Sequence, residues 1–205
     1  MKTIGVTGGI GSGKSTVCSI LAGRGIPVYD SDSAAKRLYA TDDVLLDSIE
    51  EAFGCSVRSS NGSADIRKIA SMVFSYPEKL KILESIVHPA VFKDFRRWNA
   101  LQASRFEGIG PGPDFFGKEP FCVLESAIIL EKPEFLGLLD AVVLVDAPLQ
   151  SRLKRACERD GSDPADVLRR MAVQRFDLSK VNAIIRNDGS PDDLPAEVDR
   201  VFRNL

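Results

Sequence analysis

Residues 8–15 read Gly8-Gly9-Ile10-Gly11-Ser12-Gly13-Lys14-Ser15, which meets the spacing G-x-x-x-x-G-K-[ST]. The flanks restrict the fold further. Thr3-Ile4-Gly5-Val6-Thr7 reads as a short buried strand, and Ser15 to Gly23 carries Val17, Ile20 and Leu21 at helical spacing. A strand feeding a glycine-rich turn that opens a helix is a phosphate cradle: the glycines let consecutive N–H groups point inward at oxygens. The positive end of the helix adds to that field. Lys14 is placed to reach β- and γ-phosphates, and the Ser15 hydroxyl to hold a Mg²⁺ ion. An ordinary glycine-rich turn would need motif and flanks to agree by accident. A dinucleotide site is excluded, because no G-x-G-x-x-G can be laid over these residues. The expected triphosphate contacts are Gly8, Gly9, Ile10, Gly11, Ser12, Gly13, Lys14, Ser15 and Thr16.

The chain of 205 residues is long enough for one well-packed core with a smaller lobe attached. A net charge of −2 gives the whole molecule no bulk attraction for nucleic acid or anionic membrane. The charge is uneven, however. Between Ala147 and Lys180 stand eight Lys/Arg and five Asp/Glu, a local +3 that leaves the remainder at −5. Cys18, Cys55, Cys122 and Cys157 are scattered without a C-x-x-C pair and read as reduced thiols. His88 is the only histidine, which excludes a His-rich metal site. With no leader segment or membrane-length apolar run, a cytoplasmic protein is expected.

After the first helix, Ile26-Pro27-Val28-Tyr29 reads as a second strand ending at Asp30. The order strand, loop, helix, strand predicts a parallel sheet flanked by helices. Asp30-Ser31-Asp32 lies just past the carboxyl end of strand two, the edge where open α/β sheets bind ligands. Residues 33–103 then lack a convincing strand. Thr41 is expected to cap a helix striped by Val44, Leu45, Ile49, Ala52 and Phe53, ended by Gly54. Ile66, Ile69, Ala70, Val73 and Phe74 mark another, broken near Pro77; Leu80, Leu83 and Ile86 mark a third. His88-Pro89 is expected to open a fourth. Asp114-Phe115-Phe116-Gly117 fits D-x-x-G, yet no strand precedes it, and the match reads as chance. Phe121 to Leu124 and Ala141 to Val145 are continuous apolar runs typical of strands covered on both faces, ending in Glu125 and Asp146. Helices are expected over about 149–159, with Leu153, Ala156 and Cys157 inward, then from Asp163-Pro164, carrying Leu168, Met171 and Ala172. A last strand, 183–185, turns at Asn187-Asp188-Gly189 into a closing helix.

Four positions carry candidate chemistry. Asp32 could orient an acceptor hydroxyl and take its proton, or could cap the helix after it. Arg155 and Arg159, four apart on one helix face, suit a triphosphate whose charge shifts in the transition state, or form a solvated face paired with acids. Glu125 or Asp146 could order a Mg²⁺-bound water. His88 could be a base, although His-Pro at a helix start is commonly structural.

Together these segments resemble the dephospho-CoA kinases, which phosphorylate the ribose 3′-hydroxyl of dephospho-CoA with ATP at the end of coenzyme A synthesis. The likeness runs nearly end to end. Ile4 to Ser15 is close to that family's loop, and Val28 to Ala35 is similar to its D-x-D segment, whose second Asp, here Asp32, is the proposed base. Ile86-Val87-His88-Pro89 is similar to its His-Pro motif in the acceptor lobe, and Leu153-Lys154-Arg155 with Arg159-Asp160 to its lid. Arg170 and Gln174 also fit, and Asn187-Asp188-Gly189 resembles its turn beside the adenine. The resemblance implies a P-loop core (1–32, 104–146 and 179–205), a helical acceptor lobe (33–103) and a helical lid (147–178). It implies ATP and dephospho-CoA as substrates and Mg²⁺ as the ion, with no nucleic-acid or membrane partner. Lys14, Asp32 and Arg155 become the expected catalytic groups, Arg155, Arg159 and Asn187 additional ATP contacts, and Asp32 and His88 acceptor contacts. The rivals are a kinase of another small hydroxyl on the same scaffold, and a nucleotide switch. For the switch, no N-K-x-D guanine motif is present.

Overall fold

Five short apolar runs build the centre of the protein. In the computed structural model, which describes residues 1–73, 76–110, 112–190 and 192–205, they form strands β1 (Lys2–Gly8), β2 (Val28–Asp30), β3 (Phe121–Glu125), β4 (Ala141–Asp146) and β5 (Ala183–Arg186). The spatial order is β2-β3-β1-β4-β5, with β1 parallel to both β3 and β4, and β4 parallel to β5. Parallel neighbours need crossovers that place helices on the sheet faces. Every residue of β3 is accordingly buried, as are residues 3–8 of β1.

The chain separates into two units, residues 1–29 with 99–205, and residues 30–98. In the first, helix α1 (Lys14–Gly23) brings Val17 and Leu21 into one cluster with Val6, Val123, Val143 and Ile185. The last helix of the chain (Leu194–Asn204) adds Val198, Val201 and Phe202 to the same cluster. Phe202 stacks on Phe121 (centroids 5.9 Å apart) and on Phe116 (5.6 Å). Phe115 and Phe116 are therefore core side chains, which explains the D-x-x-G match at 114–117 as packing.

The second unit is helical: α2 (Ser31–Thr41), α3 (Asp43–Phe53), α4 (Ile66–Val73) and most of α5 (Pro77–Arg105). Leu45, Leu46 and Ile49 are the buried face of α3, and Leu83, Val87, Val91 and Phe95 make a four-residue stripe along α5. Arg58 ties the intervening loop down by bonding Asp47 (2.7 Å) and Glu50. Of the expected stripe on α4, Phe74 lies outside the described residues, as does Pro111 in the loop before residue 112.

The structure corrects several local expectations. The cap of α3 is Asp42, whose carboxylate accepts from Leu45 N (3.0 Å), while Thr41 closes α2. An ionised Asp meets the first-turn amides better than Thr does. His88-Pro89 opens no new helix: Pro89 lies inside the 29-residue α5. Proline removes one N–H and disfavours a helical residue before it, yet the Leu83–Phe95 stripe buries apolar surface on both sides and carries the helix through. Following α6 (Pro133–Leu136) come α7 (Leu149–Asp160) and α8 (Pro164–Ala172). The apolar face of α8 is Val167 and Met171, not Leu168 and Ala172, because these two pack on Ala156 of α7. The closing helix is α9. No helix among the described residues is long and apolar enough to cross a membrane.

Phe202 has no exposed surface. Phe202→Ala is expected to lower unfolding free energy by about 3–5 kcal/mol, the usual cost of deleting a buried ring. Urea denaturation followed by circular dichroism measures it; a loss below about 1 kcal/mol would contradict the packing described.

Candidate active site

At the end of β1 the backbone turns through Gly8 to Gly13 and enters α1 at Lys14. Gly13, at the N-cap position, has φ 99°, and a side chain there would run into the Asn187 amide. Neither a side-chain cap nor an acidic residue occupies the first turn of α1. By contrast α2, α3 and α8 are each capped by an aspartate: Asp30, Asp42 and Asp163. The start of α1 thus keeps its positive field for an external anion.

Several polar groups of the turn are held by side chains. Lys14 Nζ donates to the carbonyls of Gly8 (2.9 Å) and Gly9 (3.4 Å). Asn187 Nδ2, on a buried residue just past β5, donates to the Ser12 carbonyl (2.8 Å). Ile10 is gripped twice: its N–H donates to Gln174 Oε1 (2.9 Å) and its carbonyl accepts from Arg152 Nε (3.0 Å). The Ile10 side chain packs with Leu153, Ala156, Val167 and Met171 of α7 and α8.

Of the two strand-end carboxylates, Glu125 stands at the loop, accepting from Ser15 Oγ (3.3 Å), whereas Asp146 pairs with Arg186 (2.9 Å). The sequence left that choice open. Ser15 and Glu125 supply the hard oxygen donors that Mg²⁺ prefers, and a hydroxyl that donates one bond still has lone pairs to offer. The residues present fit such an ion.

Arg155 and Arg159 are not together. Arg155 reaches the Asn187 carbonyl and side-chain oxygen (both 3.4 Å). Arg159 forks onto Asp160 (2.7 and 3.0 Å), and this bond holds the Asp160 carboxyl below its ordinary range and raises the Arg159 guanidinium. Beyond Asn187 opens a cleft of about 470 Å³ lined by Gly189, Ser190, Leu194, Glu197 and Arg200.

In the second unit, Asp30 rather than Asp32 caps α2, accepting from the N–H groups of Asp32 (2.9 Å) and Ser33 (3.1 Å). Capping therefore does not account for Asp32, whose exposed carboxylate has no partner among the described residues. His88 is half-buried within α5. This unit has its own cleft of about 380 Å³, lined by the apolar Leu38, Leu45, Ile86 and Pro89 and by the charged Asp42, Lys93, Asp94 and Arg97.

Sequence reasoning missed Arg152 and reached Gln174 only through resemblance. The available signal was spacing: Arg152 precedes Arg155 by one helical turn.

Comparison with known proteins agrees with this geometry. The family model described as dephospho-CoA kinase (CoaE) matches residues 2–193. A dephospho-CoA kinase from Chlorobium luteolum is 34% identical over 210 residues, covering 98% of this chain and 90% of its own. One from Porphyromonas gingivalis is 38% identical over 183 residues, covering 89% and 82%. Among solved structures, the Thermus thermophilus protein TT1252 superposes with a TM-score of 0.73 at 34% identity, covering 100% of this chain and 97% of its own. With a phosphate cradle at β1–α1 and matches of this length, the chain belongs to the dephospho-CoA kinase family.

Proposed function

We propose that the protein transfers the γ-phosphoryl group of ATP to the ribose 3′-hydroxyl of dephospho-CoA, giving coenzyme A and ADP. The observation that carries this reading is the uncapped start of α1 facing a turn with the phosphate-loop sequence, in a chain of this family. Loop residues from Gly8 to Thr16 hold the triphosphate, through amides other than those of Ile10 and Ser12, which already donate to Gln174 Oε1 and the Gly9 carbonyl. Lys14 moves from the Gly8 carbonyl onto the phosphates, a short swing for a flexible stem. Mg²⁺, when bound, neutralises phosphate charge; Ser15 would ligate it, with Glu125 accepting hydrogen bonds from its waters.

In the transfer the 3′-oxygen forms a bond to the γ-phosphorus while the β–γ bridging bond breaks, and the electron pair leaves with ADP. Asp32 takes the hydroxyl proton. Its exposure and its freedom from capping support that role. Arg155 and Asn187 contact the nucleotide next to the 470 Å³ cleft, where the adenine fits. Arg159 is a further ATP contact only if the nucleotide outcompetes Asp160, whose fork already meets two of its donors. Residues 33–103 serve as the acceptor lobe, with His88 an acceptor contact, and 147–178 as the lid. In the helical unit's cleft, Leu38, Leu45 and Ile86 suit the pantetheine arm, and Lys93 and Arg97 the diphosphate of dephospho-CoA, while the neighbouring Asp94 is paired with Arg37.

The direct test is a coupled ADP-release assay with ATP–Mg²⁺ and a panel of dephospho-CoA, nucleosides and sugars. Turnover confined to dephospho-CoA is expected, and preference for another alcohol would overturn the assignment. Lys14→Ala is expected to abolish turnover while the protein stays folded, its melting temperature lowered by no more than about 10 °C for the lost bonds to the Gly8 and Gly9 carbonyls. Asp32→Ala should lower kcat by about 10²–10⁴-fold, the usual worth of a positioned base. Near-normal kcat would remove Asp32 from that role. Arg97→Ala should raise KM for dephospho-CoA about tenfold with KM for ATP unchanged, as loss of one charge-assisted contact predicts. Parallel changes in both KM values would count against acceptor binding in that cleft.

A further inference from the structure

Arg152 lies on the phosphate loop through both backbone and side chain. Side chains at Gly9 and Gly11 would run into its guanidinium and its backbone carbonyl respectively. Its Nε donates to the Ile10 carbonyl (3.0 Å) and its Nη2 to Gln174 Oε1 (3.4 Å), the oxygen that also accepts from Ile10 N (2.9 Å). One residue of the loop, Ile10, is thereby closed into a ring with two side chains. A guanidinium has five N–H donors, and these bonds use two. The three that remain sit on a planar, half-buried, permanently charged group fixed against residues 9–11. Neither acid nor aromatic ring pairs with Arg152 among the described residues, so its charge is not spent on the protein. That distinguishes it from Arg159.

We infer that Arg152 is a catalytic residue for the terminal phosphoryl group, its remaining N–H donors meeting charge that builds on the γ-oxygens, and that Gln174 is the positioning residue that orients it. The inference rests on the reading that the loop holds ATP. Lys14 and Arg152 then approach the phosphates from different elements: Lys14 rises from the start of α1, and Arg152 descends from the first turn of α7. A donor fixed before the reaction begins needs no reorganisation as charge develops, which is what gives such groups their large effect. Gln174 contributes through orientation, since the same carbonyl oxygen fixes both the Ile10 amide and the guanidinium plane.

The experiment measures kcat together with affinity for ADP and for a non-hydrolysable ATP analogue, in wild type, Arg152→Ala, Arg152→Lys and Gln174→Ala, each checked for a native melt. Arg152→Ala should lower kcat about 10²–10³-fold, the range for losing one preorganised donor. It should weaken the analogue about tenfold and leave ADP within about twofold, because the lost contact is to the terminal phosphate alone. Arg152→Lys keeps the charge without the fork and should recover only part of kcat. Gln174→Ala should lower kcat about tenfold with the same analogue-specific pattern, since a misaimed fork loses part of its bond. Equal weakening of ADP and analogue, or kcat within about threefold of wild type, would make Arg152 a scaffold for the loop and overturn the inference. The binding arms need no acceptor. A wild type that ignores dephospho-CoA would therefore defeat the proposed substrate while leaving the ADP-to-analogue comparison decisive for Arg152; a wild type that binds neither nucleotide overturns both.

Discussion

A turn that gathers its amides for an anion still carries carbonyls, and each of those needs a donor of its own. Here Lys14 serves Gly8 and Gly9, Arg152 serves Ile10, and Asn187 serves Ser12. The three donors come from α1, from α7 and from the end of β5, the first more than a hundred residues of sequence from the other two. The loop is consequently rigid only when the parallel sheet is complete. An unpartnered buried carbonyl costs on the order of 1–3 kcal/mol, so the cradle and the core are mutually dependent.

The sheet meets that demand by its order. With β1 at the centre, its carboxyl end is flanked by β3 and β4, so Glu125 and Asp146 emerge on either side of the loop. Their fates differ because of what each meets next: Ser15 on one side, Arg186 on the other. Helices α7 and α8 bury Ala156, Val167 and Met171 around the Ile10 side chain, so the basic segment is anchored to the loop by apolar packing as well as by Arg152. This couples the position of the arginines to the state of the cradle.

Residues 30–98 follow a different logic. Helices α2 and α3 start on aspartate caps and bury leucine and isoleucine stripes, while Arg58 gathers Asp43, Asp47 and Glu50 to fix a polar loop. Neither α2 nor α3 has the uncapped start of α1, and the unit's cleft mixes apolar side chains with charges of both signs. The two units thus present different chemistry: an uncapped helix start in one, a cleft of apolar and charged side chains in the other.

The sequence alone determined the cradle, the parallel sheet and the likeness to a kinase family, because these rest on local signals: glycine spacing, uninterrupted apolar runs and caps within a few residues. It also marked Asp32, Arg155 and Asn187 as residues of interest. What it left ambiguous depended on distant partners. Asp32 reads equally well as a base or as a cap, and only the backbone geometry gives the capping bonds to Asp30. Pro89 reads as a helix start until Val87 and Val91 are seen buried on one stripe. Arg152, Arg155 and Arg159 are three similar cations spaced along one helix. Tertiary structure alone gave the first to the loop, the second to Asn187 and the third to Asp160, because a guanidinium takes its role from whichever oxygen the fold brings within 3 Å or so, and sequence spacing carries no record of that distance.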